Sequence, residues 1–159
     1  MYAQSYQNDI YKCKIELPIG WYVIGSSAND PNQDMLLLYK QIPVVKNGKQ
    51  MAAIIAIQKR FLNSTFNTFN ELSDEKVEAI KKRYMEAAID HNIPVEGFVK
   101  EIGRHKAIWI VRSGPESKAI DIDLLENKYL WDFHVGVPLE YYENIVFELE
   151  EIIKSFSMI

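Results

Sequence analysis

Three aspartates and one histidine lie close together in the last third of the sequence, and their side chains can bind a metal ion or exchange protons. Asp121 and Asp123 alternate with apolar residues, and Asp132 and His134 do the same in the next apolar segment. A period of two is typical of strands, which present successive side chains to opposite faces of a sheet. The four polar side chains are therefore expected on one face of a hairpin.

A two-residue turn at Glu126 and Asn127 predicts the register of this hairpin. Six apolar residues then pair on one face: Leu124 opposite Tyr129, Ile122 opposite Trp131, and Ile120 opposite Phe133. A slip of one residue would scramble the two faces, which supports this register. On the other face, Asp121 is expected opposite Asp132, with Asp123 and His134 nearby.

Two carboxylates beside an imidazole can bind a divalent metal, or hold one carboxyl at a raised pKa for acid–base chemistry. Asp121, Asp132 and His134 are therefore the candidate metal ligands. Directly opposed like charges destabilise a sheet, so a compensating group is expected. The alternative is a solvated strand face on which the carboxylates point apart or meet neighbouring lysines or Arg112.

Trp109 is the candidate partner-binding residue. Ala107, Trp109 and Val111 alternate with Ile108 and Ile110, so both faces of this strand are apolar. One face is either covered by a helix or left open as a groove or partner site. Core packing is the alternative role for this tryptophan.

The remaining reactive side chains have structural interpretations. His91 is expected in the last turn of a helix, where a cation suits the helix dipole. His105 is expected at an exposed turn, and Cys13 on the inward face of the first strand as an inert buried thiol. The sequence contains no phosphate-binding loop, serine-hydrolase elbow or zinc-protease motif. No enzyme is therefore predicted, and no cofactor beyond the candidate metal.

Composition and charge exclude other classes. The 159 residues carry a formal net charge of −4 without a long run of Lys or Arg, so nucleic-acid binding is not expected. No apolar run approaches the roughly 20 residues of a membrane span, so no integral membrane segment is expected.

One cysteine allows no internal disulfide, which fits a reducing compartment but also many exported proteins. If the sequence begins after a signal peptide that has been removed, an exported, periplasmic or lipoprotein-derived protein is expected, and otherwise a cytoplasmic one.

The element order predicts an α+β fold. Residues 1–9 are polar and are expected to form a flexible tail, and residues 10–159 a single domain. Asn47-Gly48 predicts a tight hairpin turn, and Ser73 a helix N-cap. The resulting order is β-β-β-β-α-β-β-β-β-α, in which short connections favour a mostly antiparallel sheet covered by helices.

Two short motifs resemble the PsbP-like family, which includes the extrinsic PsbP subunit of photosystem II, the Ran-binding Mog protein and bacterial relatives. The opening "IELPIGW" places Pro18, Gly20 and Trp21 between two strands, and the closing "IIKSF" ends a helix with Ser155 and Phe156. The resemblance implies a central antiparallel sheet sandwiched between helices. It also implies a non-enzymatic role as adaptor, chaperone or assembly factor, and it supplies no functional residue.

The leading functional hypothesis is a non-enzymatic binding or adaptor protein that holds a protein partner. The alternative is a small-ligand or divalent-metal-binding domain centred on Asp121, Asp132 and His134. An enzyme is the third hypothesis, since no nucleophile is evident.

Overall fold

The structure is a computed structural model that describes residues 2–26, 35–62, 65–89 and 92–159. The predicted helix-end position of His91 lies outside these ranges. Residues 27–34 also lie outside them, and these are most of the polar segment Ser26–Asp34 that the sequence predicts to be a loop.

The centre of the protein is a seven-stranded sheet in which every neighbouring pair is antiparallel. Its strands, in spatial order, are β3 (Tyr22–Ser26), β4 (Met35–Lys46), β5 (Lys49–Phe61), β9 (Tyr129–Pro138), β8 (Ser117–Glu126), β7 (His105–Ser113) and β6 (Val95–Ile102). The hairpin between β4 and β5 turns at Asn47 and Gly48, both at positive φ, as predicted.

A smaller sheet joins the two ends of the described chain. It contains β1 (Tyr2–Asn8), β2 (Cys13–Pro18) and β10 (Ser157–Met158), with β2 in the middle. Residues 2–8 thus form a strand where the sequence predicted a flexible tail. Polar side chains do not prevent this pairing, because the ladder uses backbone groups. The Asn8 carboxamide also accepts hydrogen bonds from the backbone N–H groups of Ile10 and Tyr11, which fixes the turn into β2.

One helix packs on each face of the large sheet. α1 (Asp74–Ala88) packs on β6 and β7, and its N-cap is Ser73, whose Oγ accepts a hydrogen bond from the Lys76 amide at 3.3 Å. α2 (Tyr142–Ser155) and the small sheet share the main core with the opposite face. A smaller core lies beneath α1. This arrangement confirms the predicted α+β sandwich. Neither α1 nor α2 has the length and apolar character needed to cross a membrane.

The predicted corner leads from the small sheet into the large one. Gly20 has a φ of 93°, and the Trp21 amide donates to the Pro18 carbonyl at 3.2 Å. The Trp21 ring is 2% exposed, and its indole Nε1 donates to Glu148 on α2 at 2.8 Å. The side chain of Glu148 therefore points into the protein. The sequence places Glu148 opposite the apolar stripe that includes Ile145, Leu149 and Ile152, and so predicts an outward position.

The predicted register of the β8–β9 hairpin is wrong by two residues. The turn consists of Asn127 and Lys128, with φ of 51° and 68°. The observed pairs are Leu124 opposite Trp131, Ile122 opposite Phe133, and Ile120 opposite Val135. A shift of two leaves every side chain on its predicted face, so the alternation of apolar residues cannot distinguish the two registers.

Candidate functional site: a charged cleft beside α1

A cleft of about 670 Å³ opens between α1 and the neighbouring part of the sheet. Tyr84, Ala87 and Ala88 of α1 form one wall, and Ile110 and Leu130 contribute apolar parts of the floor. Charged and polar residues complete the lining: Gln58, Lys59, Arg60, Arg112, Asp121, Asp123 and Asp132. The cleft exists because α1 packs on β6 and β7 and leaves β5, β8 and β9 only partly covered.

A carboxyl pair occupies the floor of this cleft. Asp123 on β8 lies directly opposite Asp132 on β9, and Asp123 is only 8% exposed. Burial, followed by the hydrogen bond to Asp132 and the charge of that carboxylate, raises the pKa of Asp123 to about 9. Burial also raises the pKa of Asp132. At neutral pH the pair therefore holds a proton between its carboxyl groups, which is the compensation that opposed like charges require.

Asp121 and His134 form a second pair, one step along the same strands. They lie directly opposite each other, and His134 Nδ1 is 2.7 Å from Asp121 Oδ1. This hydrogen bond is the main cause that raises the pKa of His134. Arg112 Nη2 lies 3.6 Å from the other oxygen of Asp121. Asp121 therefore lies between a histidine, to which it is hydrogen-bonded, and an arginine.

The prediction that these four residues share one face is confirmed, but their partners differ from the prediction. Asp121 faces His134 rather than Asp132, because of the two-residue shift in register. Within the described parts of the chain, no group of three or more His, Cys, Asp or Glu side chains could hold a metal ion. The geometry thus gives no support to a metal site at Asp121, Asp132 and His134.

Arg60 and Tyr84 are among the cleft residues that were not identified from the sequence. Arg60 comes from β5, which pairs with β9 across a long stretch of chain, so the hairpin alone could not place it there. Tyr84 belongs to the apolar stripe of α1 and is part-buried, with its pKa raised by burial. The sequence around Arg60 and Tyr84 does not indicate that either residue lines a cleft, because the cleft is formed by tertiary packing.

The same face of the sheet remains open beyond the cleft. Tyr22 on β3 lies opposite Tyr39 on β4, which in turn lies opposite Ile54 on β5. The two tyrosine rings are in contact, with centroids 5.1 Å apart. Tyr22 is 48% exposed and Ile54 is 44% exposed. We call the surface formed by Tyr22, Tyr39 and Ile54 the open face.

Trp109 lies in the main core and is 1% exposed. Lys100 Nζ lies 4.3 Å from the centroid of its ring. On the other side of β7, Ile108 and Ile110 belong to the small core beneath α1. Both faces of this strand are therefore covered, and the indole of Trp109 contributes nothing to the surface of this structure.

Of the predictions for His105 and Cys13, the first is wrong. His105 is buried rather than exposed, and its Nε2 lies 2.7 Å from the Phe156 carbonyl oxygen. Burial lowers the pKa of His105, so the neutral ring donates this hydrogen bond. Cys13 is buried as predicted, and burial raises its pKa to about 11.

Comparisons with known proteins show similarity at the level of structure. No protein-family model matches the sequence, and no curated protein matches it. The solution structure of cyanobacterial PsbP from Synechocystis sp. PCC 6803 superimposes with a TM-score of 0.56 at 10% identity, covering 98% of this chain and 92% of that one.

A crystal structure from Bacteroides thetaiotaomicron VPI-5482 matches all of this chain with a TM-score of 0.61 at 11% identity. The match covers 49% of that protein, so this chain spans about half its length. At identities this low, the two superpositions establish a common fold. The chain therefore has the PsbP-like fold.

Proposed function

We propose that the protein is a non-enzymatic binding protein that holds a protein partner on the open face of its sheet. The observation that supports this is the unequal covering of the large sheet. α2 and the small sheet cover one face, whereas α1 covers only the β6–β7 end of the other. The PsbP-like resemblance, which implies an adaptor or assembly role, points the same way.

The residues of the open face suit protein recognition. Tyr22 and Tyr39 supply large, rigid rings with a polar tip, and tyrosine is enriched at protein interfaces. Ile54 adds an aliphatic surface beside them, and none of the three carries a charge that a partner would have to desolvate. Neighbouring exposed apolar side chains of this kind mark interaction sites more often than scattered ones do.

Site-specific photo-crosslinking in the native host tests this proposal. A photoreactive phenylalanine analogue replaces Tyr22 or Ile54, and Phe147 serves as the matched control because it is 65% exposed on α2. We expect both open-face positions to yield an adduct with the same protein, and Phe147 to yield none. Equal adducts at all three positions, or none at the open face, would contradict the proposal.

A charge substitution on the open face provides a second test of the proposal. Ile54→Lys places a cation on the open face beside Tyr39 while its backbone pairing is retained, and we expect it to abolish the Tyr22 adduct. A partner bound through another surface would still crosslink normally in that variant. Circular dichroism of Ile54→Lys confirms that the fold is intact.

A further inference from the structure

The cleft beside α1 is separate from the open face and has the size of a small-molecule site. Its volume of about 670 Å³ falls within the roughly 300–1,000 Å³ of typical ligand pockets. Such sites combine an apolar lining with a few convergent polar groups. Here apolar atoms come from α1, Ile110 and Leu130, and the polar groups come from four different strands.

We propose that this cleft binds a small zwitterion, an amino acid with an apolar side chain, whose ammonium group lies against Asp123 and Asp132 and whose carboxylate lies against Arg112 or Arg60. The site goes beyond the proposed function, since none of Tyr22, Tyr39 and Ile54 lines the cleft.

The carboxyl pair provides the subsite for the ammonium group. Asp123 is more than nine-tenths buried at the floor of the cleft, and the group hydrogen-bonded to it is the Asp132 carboxyl. An ammonium has three N–H donors and can bridge both carboxylates. The proton that the pair holds in the empty cleft then passes to solvent, so the cation replaces it one for one.

The two arginines provide the subsite for the carboxylate. Arg112 Nη2 is 3.6 Å from Asp121, which is too far for a good hydrogen bond, so this donor remains available to a ligand. Arg60 lines the cleft from β5 and has no ion pair with any other described residue. A guanidinium group binds a carboxylate through two parallel hydrogen bonds.

The balance of charge favours a ligand with both signs. With one proton on the Asp123–Asp132 pair, two negative charges remain among the three carboxyl groups, and the guanidinium groups of Arg60 and Arg112 line the cleft beside them. The Lys59 ammonium is left out of this balance because it donates to the Tyr11 carbonyl at 2.8 Å. A ligand with a single charge would leave one subsite unpaired in a part-buried cleft, which costs free energy. The apolar side chain of the ligand would lie against Ala87, Ala88 and Ile110 on the walls and floor.

Titration of the ¹⁵N-labelled protein, followed by amide chemical shifts, tests the proposal. The probes are the apolar amino acids at millimolar concentration, together with two analogues of leucine that each keep one charge: 3-methylbutylamine and 4-methylpentanoate. We expect at least one amino acid to shift the amides of Tyr84, Ala88, Asp123 and Leu130 saturably. The single-charge analogues should bind about tenfold to a hundredfold more weakly, the cost of a charge-assisted hydrogen bond.

Variants separate the two subsites. Asp132→Asn should weaken binding of the amino acid and the amine, and either Arg112→Gln or Arg60→Gln should weaken binding of the amino acid and the acid. Glu75→Gln, on the exposed first turn of α1, is the matched control and should change nothing. Amide shift dispersion shows whether each variant is folded. The proposal is overturned if no apolar amino acid shifts the cleft amides, if the amine or the acid binds as tightly as the amino acid, or if both arginine variants keep full affinity.

Discussion

The indole Nε1 of Trp21 donates a hydrogen bond to Glu148 Oε2 at 2.8 Å, which ties the corner after β2 to α2. Two further groups share the other oxygen of Glu148: the Tyr141 hydroxyl donates to it at 2.7 Å, and Lys40 forms an ion pair with it. Both members of that ion pair are largely buried. One carboxylate therefore joins the corner, β4 and α2.

Replacing Glu148 by alanine should destabilise the protein. The change leaves three donors without an acceptor, one of them a cation, so we expect the free energy of unfolding to fall by about 2–3 kcal/mol. Glu143 lies exposed on the same helix and forms no such network, so Glu143→Ala should change stability by no more than about 0.5 kcal/mol. Urea unfolding measures both, and equal losses would mean that the network is not stabilising.

The buried carboxyl pair makes stability depend on pH. The pKa of Asp123 rises from 3.8 to about 9 in the folded protein, so between these values the folded state binds more protons than the unfolded state. Stability is then fully present at low pH and falls as pH rises, by at most about 1.4 kcal/mol per pH unit. The groups that surround Asp123 and modulate this effect are Asp121, Asp132, Arg60 and Tyr84.

Asp123→Asn tests this dependence, because its amide can donate to Asp132 as the protonated acid does. We expect the variant to match the natural protein below about pH 4, where Asp123 is protonated in both states, and to be more stable at pH 8, with a stability that changes less between these values. Glu116→Gln, in an exposed turn, should reproduce the natural profile. Thermal unfolding across this range is the measurement, and parallel profiles for the natural protein and Asp123→Asn would refute the buried proton.

Two hairpin turns offer an internal comparison of backbone strain. Asn127-Lys128 and Asn47-Gly48 have nearly the same positive φ values, but only the second has glycine at its second position. Lys128→Gly should therefore raise stability by about 0.5–1 kcal/mol, because glycine takes a left-handed φ without a Cβ clash.

The reverse change at the other turn should have the opposite sign. A Cβ at Gly48 meets no atom within 4 Å, so Gly48→Ala tests conformation without a steric clash. We expect it to lower stability by about 1 kcal/mol. Denaturant midpoints report both variants, and a loss of stability in Lys128→Gly would show that the lysine side chain, rather than φ, decides this turn.

The local features of the fold could be predicted from sequence, because each is encoded by neighbouring residues. The cap at Ser73, the turn at Asn47-Gly48 and the corner at Trp21 all lie as expected. The shared face of the aspartates followed from alternation alone. The exact pairing did not, because Asn127-Lys128 lacks the glycine that marks a type I′ turn.

Features that depend on distant segments escaped the sequence analysis. His105 is buried because Phe156, from the end of the chain, packs against its ring and accepts its hydrogen bond. Arg60 reaches the cleft through the pairing of β5 with β9. Glu148 lies on the polar side of the α2 pattern, but its contacts with Trp21 and Lys40 place its side chain inside the protein. In each case the deciding contact joins residues far apart in the chain.

Cys13 should be unreactive in the folded protein. Its side chain is 1% exposed in the main core, and burial raises the pKa of the thiol to about 11, so both access and thiolate fraction are reduced at neutral pH. We expect a thiol-specific disulfide reagent to modify the native protein at the rate of global unfolding, and to react at once in denaturant. Glu148→Ala should accelerate the reaction, because exposure of Cys13 requires the main core to open and the variant lowers the free energy of that opening. Rapid modification of the native protein without loss of structure would instead show that the small sheet opens locally at Cys13, where the partner strand β10 has only two residues.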